Sequence, residues 1–457
     1  MSGEAAVAAS RPASSTHPIR TDLARLAKLA GPVVVSRLGV MTMGLTDTIV
    51  VGRYSAEQLG FLALGWAGAS TVLGAAMGLL SGVQVMTSRA IGEGRPDLTG
   101  PALRRGLVYG LWVGVAAAAV LCLVGPRLLA ALGMKGGLAA GASGPLVILA
   151  LSMPAFAVSS AAASWLEGLG RMTPPMVLMW IANLLNLGID LVLVPGGFGL
   201  HAMGANGAAI ATASGRTFLS FATLAYIALM PDARALGVFR KPERSRPVEI
   251  EQRRIGYGAA ASSFFEITAF AAMNVIAGWI GPLVVAAWAV TLNVLALVFM
   301  VPLGLSTATG VMVGRAYGAS DAKGLRRAAA IGFAVTAAFG VVIGLAIWPF
   351  AGAIIPLYTS DPAAIALGVG ALALSTIFYL PDGMQVVVAQ ALRSRGDVLV
   401  PSCTHLASYV AVMLPLAYVL AIPLGWGIGG IVWAAIIAAY ISAGLLLGRF
   451  WMLARRD

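Results

Sequence analysis

Four carboxylates lie well inside long apolar stretches of the chain: Asp47, Asp190, Glu266 and Asp382. An ionised side chain at the centre of a bilayer costs about 2.5–3.5 kcal/mol on insertion scales, so carboxylates retained there point to an ion or substrate pathway. Asn183, Asn186 and Asp190 stand at i, i+3 and i+7, which on a helix lines one face with two amides and a carboxylate. Hard oxygen ligands of this kind suit a sodium ion or a shared proton; the alternative is amide hydrogen bonding between helices. Asp47 and Asp190 fall near the same end of their stretches and share a level, while Glu266 and Asp382 lie nearer the middle. The competing structural reading pairs these acids with Arg37 or Arg216, the two bases inside spans.

The elements that must position these groups are membrane helices. Hydrophobic residues make up 59% of the 457 and charged residues 11%, far below the quarter or so of a soluble domain. Stretches of about 20 apolar residues, enough to cross a bilayer, run over 29–51, 59–86, 106–125, 145–166, 175–195 and 206–229. A second set covers 256–278, 283–312, 328–349, 364–391, 399–422 and 426–448. The expectation is an all-α membrane protein of twelve transmembrane helices. Pro32 lies inside the first span, fifteen residues before Asp47, where a missing backbone hydrogen bond permits a bend and an ion-driven switch.

The second half repeats the first at an offset of 226 residues. Gly78, Leu79, Val85, Met86, Arg89, Ala90 and Gly92 recur as Gly304, Leu305, Val311, Met312, Arg315, Ala316 and Gly318. Six spans per repeat is an even number, so the repeats are parallel, related by an axis along the membrane normal. None of the four acids has an acidic counterpart: Asp47 matches Met273, Asp190 Leu416, Glu266 Val40 and Asp382 Phe156. Two lobes on one scaffold have thus acquired different acidic sites. The division expected is a disordered tail over 1–24, an N-lobe over 25–230, a polar linker over 231–255 and a C-lobe over 256–457.

Of 30 Lys and Arg residues, 25 fall on the side of the termini and linker and three, Arg53, Arg127 and Lys135, on the other. This bias places both termini in the cytoplasm. The net charge of +12 then needs no nucleic-acid partner; it reflects orientation and attraction to anionic headgroups. Cys122 and Cys403 have no disulfide or metal spacing, no P-loop is present, and His17, His201 and His405 join no Ser/His/Asp or HExxH grouping. These absences argue against an enzyme and against ATP-driven transport, and no cofactor is expected.

The segments GPVVVSRLGVMTMGLTDTIVVGRYSAEQLG, SRAIGEGRPD, NLLNLGIDLVLV with GANGAAIAT, and FYLPDGMQVVVAQALRSRGD resemble the multidrug and toxic compound extrusion (MATE) transporters, NorM-like branch, over nearly the whole chain. The resemblance implies two six-helix bundles facing each other in a V. It implies an N-lobe cation site of Asp47, Asn186, Asp190 and Thr212, a bent first helix at Pro32, and a C-lobe site of Glu266 with Asp382. Phe378 stands where some members carry tyrosine, with Tyr379 beside it. The implied function is proton- or sodium-coupled antiport of cationic or amphiphilic drugs by a monomer in a bacterial inner membrane, with sodium at the cation sites where that ion is used. The alternative is a flippase for lipid-linked substrates of the related superfamily. Trp66, Trp180, Met273, Trp288 and Met300 could offer apolar and cation-π contacts to a flat cation, or serve as packing.

Overall fold

The computed structural model describes residues 18–131, 137–197, 199–240 and 245–456, and all regular structure among them is helical. Residues 1–17 of the expected tail, 241–244 of the linker, and Lys135 lie outside the described residues. Nine helices are long and apolar enough to cross a membrane, and two bent pairs each form one further span. The helix Ala205–Leu229, more polar because it carries Asn206, Thr212, Arg216 and Ser220, completes twelve.

The first six spans are Pro18–Tyr54, Ala56–Gly92, Thr99–Ala131, the pair Leu138–Leu151 with Met153–Gly168, Thr173–Leu193 and Ala205–Leu229. The second six are Arg246–Ile280, Pro282–Gly318, Ala322–Ile347, the pair Pro362–Ser375 with Tyr379–Ser394, the run Leu399–Ala421 and Gly427–Ala454. The first helix is already formed at Pro18, where the described residues begin, and the seventh begins at Arg246, so both occupy segments expected as tail and linker. The seventh carries Pro247 in its first turn, where a fixed φ and missing N–H fit, and in both helices these residues extend past the apolar core. The fourth and tenth spans bend by 42° and 49°. The breaks fall at Ser152 and around Thr376–Phe378, equivalent places in the two repeats, just before Pro154 and Pro381. The first span runs through Pro32 as one helix.

The lobes meet over the half of the molecule next to the face that bears the termini, here termed the basic face. Glycines make this approach possible, and they do so twice over. A Cβ on Gly78 of the second span would stand 2.5 Å from Ala260 Cα of the seventh, and one on Gly304 of the eighth 3.1 Å from the Val34 nitrogen of the first. At the 226-residue offset each contact is the image of the other. A Cβ on Gly92 would strike the Arg315 carbonyl and one on Gly318 the Arg89 carbonyl. The lobes are thus related by a pseudo-two-fold axis between them. A side chain at Gly82, whose Cβ would collide with the Gln252 carbonyl, should open this face. Overpacking of about 1–3 kcal/mol predicts that Gly82→Val raises labelling of a cysteine placed at Thr307 about tenfold, with Gly60→Val, where nothing lies within 4 Å, as control.

Two arginines close the basic face reciprocally. Arg89, at the end of the second span, donates to the Ser394 carbonyl at 2.8 Å and the Arg393 carbonyl at 3.3 Å, the C-terminal end of the tenth span. Arg315, its repeat partner, donates to the Leu169 carbonyl at 2.8 Å, the C-terminal end of the fourth. In both cases a guanidinium meets the unsatisfied carbonyls and negative dipole end of a helix in the other lobe. Gly170 and Gly396, also repeat partners, lie beside these arginines with φ of 75° and 96°. Glu251 accepts from Arg89 at 2.6 Å, and Gln84 donates to the Thr307 carbonyl at 3.2 Å. Arg89 and Arg393 are buried, so part of the basic charge read from the sequence as loop-borne lies within the protein.

One departure from repeat symmetry stands out. Leu406–Met413 of the eleventh span is wound as a π-helix, whereas the equivalent residues 180–187 lie in the regular helix Thr173–Leu193.

Candidate cation sites in the two lobes

In the N-lobe the first, fifth and sixth spans converge on one carboxylate. The first and fifth approach closely at Gly39, where a Cβ would lie 2.7 Å from Met179 Cγ. Asp47 is fully enclosed. Asn186 Nδ2 donates to its Oδ1 at 2.9 Å and Thr212 Oγ1 to its Oδ2 at 2.5 Å. Asn183, Asn186 and Asp190 are all buried, with Leu184 and Leu191 on the exposed side of the same helix. The predicted polar face is therefore turned inward. Asp190 is fully enclosed, and neither of its oxygens meets a donor among the described residues; Asn183 Oδ1 and Asn186 Oδ1 are likewise without one. Buried acceptors left without donors are costly, and an acceptor-rich face of carboxylates and amides is what a proton or a small hard cation satisfies. The Asp47, Asn186 and Thr212 side chains stand in direct contact, and Asp190 lies one turn beyond Asn186.

The bases inside the spans do not pair with these acids among the described residues. Arg37 lies 3.4 Å from Glu167, a buried acid just past the fourth apolar stretch as drawn from hydropathy, and so missed as an in-span charge. Arg216, one turn after Thr212, is buried and donates to Ser152 Oγ at 2.8 Å, with the rings of Trp66 and Phe156 each 5.3 Å away. It supplies a fixed positive charge held by a hydroxyl at the bend of the fourth span and by two aromatic faces.

The C-lobe places its two acids on a shared amide. Gln385 Nε2 donates to Glu266 Oε1 at 3.2 Å, and Asp382 Oδ1 is at 3.5 Å. Asp382 occupies the first turn of Tyr379–Ser394, where the bend of the tenth span exposes a helix N-terminus that favours a negative group. Gln385 is fully enclosed. Its role was legible only as an amide one turn after Asp382. Phe378 stacks edge-on against Phe270, which also meets Tyr409 at 6.1 Å. The hydroxyls of Tyr379 and Tyr409 and both ring nitrogens of His405 are buried without a partner among the described residues. Cys403 is exposed and His405 buried, in accord with their opposite directions on the helix. Met273 and Trp288 are packed into the C-lobe core in this arrangement. Trp180 is 39% exposed and donates to the Val35 carbonyl at 3.3 Å.

The two repeats are matched separately by one family model. The MatE family model matches residues 32–192 and again 259–419. The chain belongs to the MATE family. It is 54% identical over 457 residues to the probable multidrug resistance protein NorM of Caulobacter vibrioides, covering 100% of this chain and 97% of that one. With the multidrug resistance protein NorM of Vibrio cholerae it shares 29% identity, over 96% and 98% of the two chains. Its fold is that of a multidrug resistance MATE family transporter solved in an outward-facing conformation, at a TM-score of 0.87 and 19% identity, covering 97% and 100%. Membership of the MATE family identifies a NorM-like membrane transporter and not an enzyme.

Proposed function

We propose that the chain is a cation-coupled antiporter that exports cationic or amphiphilic compounds, with both termini in the cytoplasm of a bacterium and the helices in its inner membrane. The observation that carries this reading is the N-lobe cluster. Asp47 is sealed from water among spans one, five and six, with donors from Asn186 and Thr212 and Asp190 nearby without a donor. Such a cluster is stable with a proton or sodium ion beside it and is ill at ease without one. The strong Lys and Arg bias supports the orientation. Contact between lobes at the basic face then makes this the arrangement closed to the cytoplasm, with Asp47 toward the outer ends of its helices. The names of the NorM relatives support the substrate class.

In the proposed cycle a cation entering from outside occupies the N-lobe acids and favours the arrangement that releases substrate. Rocking of the lobes about the glycine contacts carries the site to the cytoplasm, where substrate displaces the cation. Pro32 is assigned the bend that links Asp47 to this movement, and Glu266 with Asp382 a second cation or substrate site. The test is efflux of a cationic dye from proteoliposomes under an imposed proton gradient and, separately, a sodium gradient. One gradient should drive efflux in the wild type, and Glu266→Gln should lower the rate by about 5- to 150-fold, the range of a coupling energy of 1–3 kcal/mol. A folded wild type that moves no dye under either gradient would overturn the assignment and leave lipid-linked substrates as the next test.

A further inference from the structure

Apart from the acidic sites, the basic face carries a pocket of about 450 Å³ at the junction of the first, fifth and sixth spans, lined by Arg25, Lys28, Arg171, Thr173, Leu29 and Tyr226. We propose that this pocket binds a phosphate-bearing anion, the headgroup of an anionic lipid of the adjoining leaflet or soluble phosphate.

Charge makes the first argument. Arg25 and Lys28 stand at i and i+3 on one face of the first span, and neither has a carboxylate partner among the described residues. Of the two carboxylates beside these residues, one is engaged elsewhere and the other neutralises only Arg171, so the charges of Arg25 and Lys28 are left uncompensated. Asp22, one turn before Arg25, accepts from Arg327 at 2.5 Å, and Asp232 holds both terminal nitrogens of Arg171, fixing that guanidinium at the rim. No acid lines the pocket. A second pocket of about 450 Å³ on the same face provides the contrast, because Glu93 and Glu251 stand among its arginines and compensate them internally.

Donor geometry makes the second. Thr173 opens the 21-residue fifth span, which has no side-chain cap; Pro174 and Pro175 follow it and carry no N–H, so this helix end contributes the Thr173 N–H and the positive end of its dipole. The Thr173 and Tyr226 side chains add hydroxyls, and Leu29 and Met172 give the pocket an apolar wall. Cations, hydroxyls and a positive helix end around an apolar wall are the chemistry that recognises a phosphate, and basic pockets between helices on this side are where anionic headgroups bind. The backbone of Gly170 forms one wall, and Arg315 of the other lobe rests on that glycine.

The experiment uses the full chain in neutral detergent. Retained lipid is counted by native mass spectrometry after adding phosphatidylglycerol or, with the same acyl chains, phosphatidylcholine. In parallel, thermal unfolding is followed in inorganic phosphate against chloride at equal ionic strength. Arg25→Gln with Lys28→Gln should weaken phosphatidylglycerol retention roughly ten- to thirtyfold, at about 1 kcal/mol for each cation near a surface. Arg455→Gln with Arg456→Gln, an equal charge loss at exposed positions on the same face, should not. Phosphate that stabilises the wild type but not the Arg25/Lys28 variant, with flat lipid retention, would identify soluble phosphate as the occupant. Equal loss in both double variants, or no loss in either arm, overturns the proposal.

Discussion

Asp47→Asn is expected to cut gradient-driven efflux severely while leaving the protein folded. The carboxamide has nearly the same shape and still accepts one of the two hydrogen bonds that Asn186 and Thr212 donate. What it loses is negative charge in a fully enclosed position. Without that charge the site has one carboxylate, Asp190, and cannot hold the coupling cation as before. A coupling energy of about 1–3 kcal/mol sets the expected loss at 5- to 150-fold, and the neutral side chain lowers the desolvation penalty of folding. Thermal stability of the variant should therefore equal or exceed that of the wild type. Proteoliposome efflux read beside thermal unfolding separates the outcomes. Full activity in a folded Asp47→Asn protein would remove Asp47 from the coupling pathway, and lost activity with lost folding would be uninformative, for which Thr212→Val is the companion. That change removes the donor to Asp47 Oδ2 and should alter the pH or sodium dependence of efflux more than its maximum rate.

The second large effect concerns the closure at the basic face. Replacing Arg89 and Arg315 by alanine should shift the protein toward the arrangement open to the cytoplasm. The two side chains supply four charge-assisted bonds across the lobes, to the carbonyls of Ser394, Arg393 and Leu169 and to the Glu251 carboxylate. Water can take over some of these, so the net loss is roughly 2–4 kcal/mol for the pair, enough to change the ratio of the two arrangements about thirtyfold or more. Spin labels on cysteines at Arg95 and Lys323, both exposed on this face in different lobes, report the separation directly. A longer-distance population in the double alanine variant is the expected result. An unchanged distance distribution would show that the glycine contacts hold the face closed without the arginines. Arg315→Lys, which keeps the charge but not the guanidinium geometry, should fall between.

Hydropathy and the 226-residue repeat made the spans, their even number and the asymmetry of the acids readable in advance, because each is written in single residues or short windows. Asn183, Asn186 and Asp190 could be placed on one face for the same reason. The bends were less legible. Pro154 and Pro381 mark their neighbourhoods, yet whether a proline kinks a membrane helix depends on which neighbours take up the freed carbonyls. Arg89 and Arg315 were misjudged as loop charges because a base at a span's end has the same sequence whether it faces headgroups or another lobe's helix terminus. Thr212 became a candidate through family resemblance alone, since a threonine in an apolar helix most often bonds its own backbone. The surroundings of Gln385, Glu167 and His405 are built by residues far apart in sequence, which no local pattern encodes.

The π-wound stretch Leu406–Met413 bears on whether the halves are interchangeable parts. Pro175/Pro401 before it and Gly204/Gly430 after it keep the 226-residue spacing, so the difference lies in winding and not in added residues. A π turn takes about one residue more than an α turn, so side chains beyond Met413 leave the helix in another direction from their partners beyond residue 187. Transplanting the N-lobe acids into the C-lobe by equivalence, with aspartates at Met273 and Leu416 and an asparagine at Val412, would therefore not rebuild the cluster. The duplicated gene has become two instruments of one pattern, tuned apart by how a single helix is wound.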